Sequence, residues 1–295
     1  MASCFGPALP AVDCGDGNIC PDGMVCRLPD RVCQTPSADA RPPDAQPPDA
    51  MTPDSAVPAL ISRGIIARYL INEDTMGTAP MAVRDSTATP FNLPITYDGS
   101  LSYVEADGNR GLSWSSEDSV GNAGAAIVGT EVETLDGTTV VTYEIVFAAS
   151  LSNNASRIFH LGSPNNGGDA TVRVSGPGEL EIRYLNGVGG TSWPDSITSG
   201  QRHVVHIVFD SAERDEGERL RAYVDGVRSV RGNSSAIGEN ATLHLESNAE
   251  LIIGNRPSGM REPLGTIFYL AIYNVALDDA EVASNATHLT VEDDS

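Results

Sequence analysis

Lysine is missing from this 295-residue chain: its 18 basic residues are all arginine, set against 40 acidic ones. The bias towards arginine is read as a mark of genome composition. The resulting net charge of −22 repels nucleic-acid phosphates and anionic lipid headgroups, so neither is an expected partner. Apolar runs are short, and none approaches the roughly 20 residues that span a bilayer. Aromatics make up 5% of the chain, with two tryptophans. Cysteine is absent beyond Cys33, which removes cysteine nucleophiles and disulfides from nearly nine-tenths of the chain. What is present is a 40% apolar fraction, enough to build a core and unlike a disordered acidic polymer.

All five cysteines, Cys4, Cys14, Cys20, Cys26 and Cys33, fall within residues 1–33. This block is rich in Gly, Pro and Asp and has little to bury, so it needs cross-links or a metal. The gaps between the last four cysteines, five, five and six residues, are wider than the pairs that zinc sites favour. Two disulfides among Cys14, Cys20, Cys26 and Cys33 are the expected arrangement, with three connectivities open. Cys4 is left over. The opening Met1-Ala2-Ser3-Cys4 resembles the end of a bacterial lipoprotein processing box, in which a small residue precedes an acylated cysteine. The basic and apolar leader regions of such a box are missing from this sequence. Lipidation at Cys4 is one expectation, and a secreted protein with an odd cysteine is the other. On this reading any membrane contact is through the lipid alone.

Residues 34–58 repeat aspartate every five positions (Asp39, Asp44, Asp49, Asp54), twice in a Pro-Pro-Asp-Ala setting. Proline removes backbone donors and the aspartates repel one another, which predicts a disordered, extended linker. Placed between a cysteine block and a larger region, it reads as a stalk.

Residues 59–295 show short apolar stretches punctuated by Gly, Asn, Asp and Ser. Expected strands are Ile65–Ile71, Leu101–Glu105, Val140–Phe147, Arg157–Leu161, Ala170–Val174, Leu180–Tyr184, His203–Phe209, Arg219–Val224, Ala241–Leu245, Glu250–Ile253 and Thr266–Tyr273. In the segment from Arg219 to Asp225 the apolar residues Leu220, Ala222 and Val224 alternate with polar ones. Asp225-Gly226 predicts a tight hairpin turn into Val227–Val230. A short helix is expected from Leu277, with Asp278, Asp279 and Glu281 in its first turns. The pattern predicts one all-β domain, a sandwich of two antiparallel sheets.

Ordered segments carry a family resemblance. They are Gly64–Glu73 with Asp85-Ser86, Tyr143–Phe147, Gln201–Asp210, the hairpin Leu220–Gly226, Leu251–Gly254 and Gly265–Leu277. Together they resemble laminin-G-like, concanavalin A-like lectin and glucanase domains, which implies a jelly-roll sandwich. Some members of that family are expected to hold calcium on acidic residues and loop oxygens. Here Phe268 and Tyr269 stand at the family's acidic positions, which weighs against calcium. Asp85 and Asp98 remain as isolated candidates. No metal ligand set and no other cofactor is expected.

Catalytic signatures are sparse. Glycan hydrolysis needs two carboxylates facing one bond, and the alternating pairs Glu131/Glu133 and Glu179/Glu181 are the candidates. Both also fit half-exposed strands. The laminarinase-like E-x-D-x-x-E pattern and a G-x-S-x-G elbow are absent. His203 and His206, three apart on one strand, point to opposite faces and should not share a metal. Trp114 and Trp193 lie in polar, glycine-bearing stretches that predict exposed loops. There they would stack on sugars with Asp195 accepting hydroxyl protons, or else plug the sandwich edge. The sequence therefore predicts a cell-surface or secreted recognition and adhesion module, without catalysis, whose partner is a surface glycan or envelope protein. A purely structural envelope protein is the alternative, followed by a glycan hydrolase.

Overall fold

Alternation of apolar and polar residues sets the architecture, because it leaves each strand one face to bury. The structure, a computed structural model, describes residues 12–13, 25–27, 32–34, 59–73, 79–106, 109–116, 118–151, 156–163, 169–176, 178–184, 189–256, 259 and 261–291. The chain divides into two compact units, Met1–Ala56 and Val57–Ser295. In the first, β1 (Val12–Asp13), β2 (Val25–Arg27) and β3 (Val32–Gln34) form an antiparallel sheet in the order β1-β3-β2. Its register sets Cys26 opposite Cys33. Cys4, Cys14, Cys20 and residues 35–58 lie outside the described residues.

The second unit contains β4 (Ile65–Tyr69), β5 (Ala82–Val83), β6 (Leu93–Thr96), β7 (Leu101–Ala106), β8 (Asn109–Trp114) and β9 (Asn122–Ala126). After these come β10 (Val140–Ser150), β11 (Ser156–Gly162), β12 (Ala170–Ser175), β13 (Glu179–Tyr184), β14 (Gly189–Trp193) and β15 (Arg202–Asp210). Next come β16 (Leu220–Val224), β17 (Val227–Arg228), β18 (Glu250–Ile253), β19 (Leu264–Tyr273) and the one α-helix among the described residues, α1 (Asp279–Val291). The first sheet runs β17-β16-β15-β10-β19-β8-β7, with β4 also paired to β19. The second runs β14-β13-β12-β11-β18-β9-β6-β5. All these pairings are antiparallel, giving the all-β two-sheet sandwich that the sequence predicts.

The core lies between the sheets. From the second sheet β12 contributes Ala170, Val172 and Val174, and β13 contributes Leu180, Ile182 and Tyr184. From the first sheet Tyr143, Ile145, Val205, Ile207, Leu270 and Ile272 face them. Each buried aliphatic side chain of this kind contributes about 1.5–3 kcal/mol. The predicted hairpin turn is present: Asp225 and Gly226 both have positive φ, 52° and 77°, as a two-residue turn matched to strand twist requires.

A second apolar layer forms where α1 covers the outer face of the first sheet. Val282, Ala286 and Leu289 share one helical stripe and pack on Val146, Val204, Val208 and Tyr269. The helix begins in a reciprocal cap: Asp278 Oδ1 accepts from the Ala280 and Glu281 N–H groups, and Glu281 Oε2 accepts from Asp278 N–H. Under the helix, Glu144 faces Ala271 across the β10–β19 ladder, so Tyr269 and Tyr273 are its diagonal neighbours on the same face. Both hydroxyls donate to Glu144 Oε1, at 2.7 and 2.9 Å. His206 Nε2 at 2.8 Å and Asn285 Nδ2 donate to Oε2. The small Ala271 side chain leaves room for this cluster, in which Glu144 and His206 are fully buried.

Three local expectations are corrected. Glu131/Glu133 sit in a 3₁₀ helix, Glu131–Leu135, not a strand, and Glu133 Oε2 accepts from Gly129 N–H. Residues 241–245 form no ladder, because Leu243 bonds to the Gly137 and Thr138 backbone and Leu245 N–H to Asp136 Oδ1. Trp114 and Trp193 end strands β8 and β14 instead of lying in loops.

Candidate functional site

While β12 and β13 bury their apolar residues, the alternate positions necessarily face outward. Arg173 and Ser175 come from β12, and Glu179, Glu181 and Arg183 from β13. The register aligns Arg173 with Glu181 and Ser192, and Thr171 with Arg183 and Gly190. Glu181 thus sits between two arginines: Arg173 Nε and Nη2 lie 2.5 Å from its Oε2, and Arg183 Nε pairs with its Oε1. Glu179 Oε2 accepts from the Ser175 hydroxyl at 3.0 Å. Gly190 matters for shape. A Cβ there would stand 3.0 Å from Arg183 Cδ and 3.3 Å from its Cζ, so glycine lets the guanidinium lie over the strand.

The chain after β17 completes one wall. Gly232 N–H donates to Ser192 O, Ser192 N–H to Asn233 O and Ser235 N–H to Gly190 O, extending the sheet beyond β14. Asn233, Ser234 and Ser235 thereby border the arginine–glutamate cluster. The result is a groove of about 550 Å³ whose lining is charged, hydroxyl-bearing or amide-bearing, with no aromatic ring. Such a surface offers fixed donors and acceptors to a polar ligand. The two ion pairs hold the donors in place before any ligand arrives.

The residues singled out from sequence are not brought together here. Trp114 is 2% exposed and Trp193 1% exposed, so neither presents a stacking face, and that expectation is corrected. Trp114 donates Nε1–H to Gly121 O, and its ring occupies the space a side chain at Gly254 would need. Trp193 lies opposite Leu180 on the core side of β14, one position from the outward Ser192. It also lines a smaller cleft of about 320 Å³ with Arg221, Arg228 and Arg231, where it stays almost wholly buried. Asp195 is exposed in a turn with positive φ, 52°, and does not line the groove.

Of the carboxylate pairs, Glu179/Glu181 does reach the site, but Glu181 is clamped as an ion-pair acceptor between Arg173 and Arg183. His203 and His206 face opposite sides. His203 Nε2 accepts from Thr198 N–H and Nδ1 bonds Asp225, while His206 bonds Glu144. The two aspartates the sequence offered for calcium are both engaged with protein donors. Asp98 accepts five hydrogen bonds, from Ser100 N–H and hydroxyl, Leu101 N–H, Ser119 hydroxyl and Val120 N–H. Burial would raise its pKa, but these donors outweigh it and hold the carboxyl well below the usual range. Asp85 accepts from the Arg68, Thr87 and Phe91 N–H groups. Both carboxylates organise loops. Among the described residues no three His, Cys, Asp or Glu side chains cluster as a metal site.

Sequence reasoning missed Arg173, Arg183 and Asn233–Ser235. The signal was there for the first two: β12 and β13 are consecutive antiparallel strands, and their pairing places Arg173 opposite Glu181. For Asn233–Ser235 no signal existed, since an irregular segment is recruited to a sheet edge 40 residues away in sequence.

A laminin-G family model, described as the concanavalin A-like lectin/glucanases superfamily, matches residues 120–283. Searched against curated proteins, the sequence finds no significant match. Among solved structures, a Trypanosoma rangeli sialidase in complex with 2,3-difluorosialic acid aligns with a TM-score of 0.56 and 15% identity, covering 79% of this chain. The alignment spans about a third (34%) of the sialidase chain. The ligand-binding domain of botulinum neurotoxin serotype D, in complex with N-acetylneuraminic acid, aligns with a TM-score of 0.52 and 13% identity over 77% of this chain and 51% of the toxin chain. At these identities the likeness is one of fold.

Proposed function

The chain belongs to the concanavalin A-like lectin/glucanases superfamily, and on that premise we propose that its second unit is a non-catalytic saccharide-recognition module. The observation that carries this reading is the groove on the outer face of the second sheet. Arg173, Glu181 and Arg183 form its floor, and the hydroxyl and amide groups of Ser175, Ser192 and Asn233 surround them. Sugar hydroxyls both donate and accept, so a ligand of this kind uses arginine N–H groups and carboxylate and amide oxygens together. The sialidase and neurotoxin structures that align with this chain are complexes with sialic acids, which supports a saccharide as the ligand class. Without an aromatic in the lining, affinity rests on hydrogen bonds, and weak binding, Kd roughly in the millimolar range, is expected. A broad glycan array, run on the full chain with and without calcium, tests the reading. Saturable binding should occur in both conditions and be lost in Glu181→Gln and Arg183→Gln proteins with unchanged circular dichroism. No saturable signal on any glycan would sink it.

The burial of both tryptophans favours a second reading, a purely structural envelope protein, because it removes the expected stacking platform. Hydrolysis is supported least, given how Glu181 is held.

Surface display is part of the proposal. Acylation at Cys4 and a stalk over residues 34–58 would hold the module away from a bacterial membrane, and secretion is the alternative. Mass spectrometry of the N-terminal peptide from bacterial membranes separates them. Within the cysteine block, residues directly opposite on antiparallel strands lie at disulfide-compatible spacing. Cys26–Cys33 is therefore the proposed pair, leaving Cys14–Cys20. Non-reducing peptide mapping that found Cys26 joined to Cys14 or Cys20 would overturn it.

A further inference from the structure

Beyond Arg173 the groove borders a concentration of positive charge that the saccharide reading does not use. Arg157 on β11 is the Cα partner of Arg173. On a regular strand Arg157 and His160, three apart, would point to opposite faces. A bulge between Arg157 and Phe159 inserts Ile158, so Phe159 enters the core while Arg157 and His160 both turn outward. Arg157 Nη1 lies 3.1 Å from His160 Nδ1, which is also 3.0 Å from Thr171 Oγ1.

Two more arginines follow β18. Fully buried Asn255 ties their backbones together: its Oδ1 accepts from the Arg256 and Arg261 N–H groups, and its Nδ2 donates to Ser119 O and Gly121 O. Arg261 O then accepts from Arg157 N–H at 2.6 Å. Burial, together with the charges of Arg256, Arg173 and Arg261, pushes Arg157 down to about 10, still fully protonated at neutral pH. Its partner His160 is pushed down to about 4 and is neutral there. A guanidinium is thus held among like charges with a neutral imidazole at its Nη1, in a chain of net charge −22. Arg173 ties this cluster to the groove, since it also lines the groove's floor.

We infer that Arg157, Arg173, Arg256 and Arg261 form an anion-binding end of the groove, and that the saccharide bound there carries a carboxylate or sulfate group. This deepens the saccharide reading and rests on it. The groove acquires a direction: the acidic substituent lies towards Arg157, and neutral hydroxyls lie towards Glu179, Ser192 and Asn233. Guanidinium forks suit both anions, because each presents paired oxygens.

The test uses the full chain on an array in which each acidic glycan stands beside its neutral counterpart. The pairs are sialyllactose with its methyl ester, oligogalacturonate with its methyl ester, and sulfated with unsulfated lactose. At least one charged member should bind about tenfold more tightly than its partner, equivalent to about 1.4 kcal/mol. Which pair responds distinguishes carboxylate from sulfate, and inorganic sulfate should compete only with the charged member. Arg157→Gln should abolish the preference. Arg261→Gln, at an exposed position that preserves the backbone bond to Arg157, should reduce it severalfold even if the first variant does not fold. Equal binding of charged and neutral members, or a preference undiminished in Arg261→Gln, overturns the inference and leaves the saccharide reading standing. Absence of binding to every member, charged or neutral, removes the saccharide reading itself.

Discussion

The two outer faces of the sandwich solve the same electrostatic problem in opposite ways. Each sets a glutamate among donors: Glu144 on the first sheet and Glu181 on the second. Glu144 lies under α1, fully buried, and its oxygens are satisfied by two tyrosines, a histidine and an asparagine. Glu181 lies on an open groove, where Arg173 and Arg183 neutralise it and further arginines stand alongside. The covered face spends its polar groups on one another, so they serve the fold. The open face keeps charge in excess, so its groups remain available to a ligand.

The largest expected effect breaks the covered face. Glu144→Ala strands the Tyr269, Tyr273, Asn285 and His206 donors beneath the helix, and losing one partner of a buried charged network costs about 3–5 kcal/mol. Glu181 is itself largely buried, but Glu181→Ala leaves two partly exposed arginines that water can still reach, and should cost less, about 1–2 kcal/mol. Urea unfolding of the two variants measures the contrast. Equal losses would show that the two faces are not specialised as described.

Acid should separate the faces next. Burial, then Arg157, depresses His160 to about 4, against about 6.5 for a free imidazole. The unfolded chain therefore takes up this proton first. The contribution from His160 is intact above about pH 6.5 and is lost as pH falls from there towards about 4. For Glu144, burial would raise the pKa, but the hydrogen bond and charge of His206, with Tyr269 and Asn285, leave it below the ordinary carboxyl range. Its contribution is therefore present above that range and lost only at lower pH. The urea midpoint should decline in two stages, with His160→Gln flattening the upper one and Glu144→Gln the lower. A single decline below about pH 4 in all three proteins would refute the assignment.

Much of the fold could be read in advance because alternation is a local property. The Leu220–Val224 strand, the Asp225-Gly226 turn and the family motifs all declare themselves within a few residues. Weakly apolar strands escaped notice: Asn122–Ala126 and Gly189–Trp193 offer little periodic signal, and their ladders come from neighbours far away in sequence. Trp114 and Trp193 misled for a related reason. Flanking glycine and serine suggest a loop, yet in β14 those small residues are the outward partners of a core-facing ring. The Glu179/Glu181 pair was visible as a half-exposed strand, but its role depends on Arg173 across the hairpin. The Arg157–His160 arrangement was invisible, because it depends on a bulge.

The smallest stability change should have a disproportionate effect on the open face. Gly190 is the Cα partner of Arg183, and a methyl group there would meet the arginine side chain at 3.0–3.3 Å, tighter than ordinary contact. The obstacle is a half-exposed, flexible side chain, not backbone, so Arg183 can swing aside. Gly190→Ala should therefore alter stability by about 0.5 kcal/mol or less, as most surface substitutions do. Moving the guanidinium off Glu181 removes a fixed donor from the groove floor, and saccharide affinity should fall about threefold to tenfold, the worth of one charge-assisted hydrogen bond or less. The same change at Gly238, where an added Cβ meets nothing within 4 Å, should leave affinity unaltered. Calorimetric titration of both variants with whichever glycan the array identifies provides the measurement. If Gly190→Ala binds as tightly as the unsubstituted chain, Arg183 is not part of the recognition surface, and the open face loses the feature that most distinguishes it from the covered one.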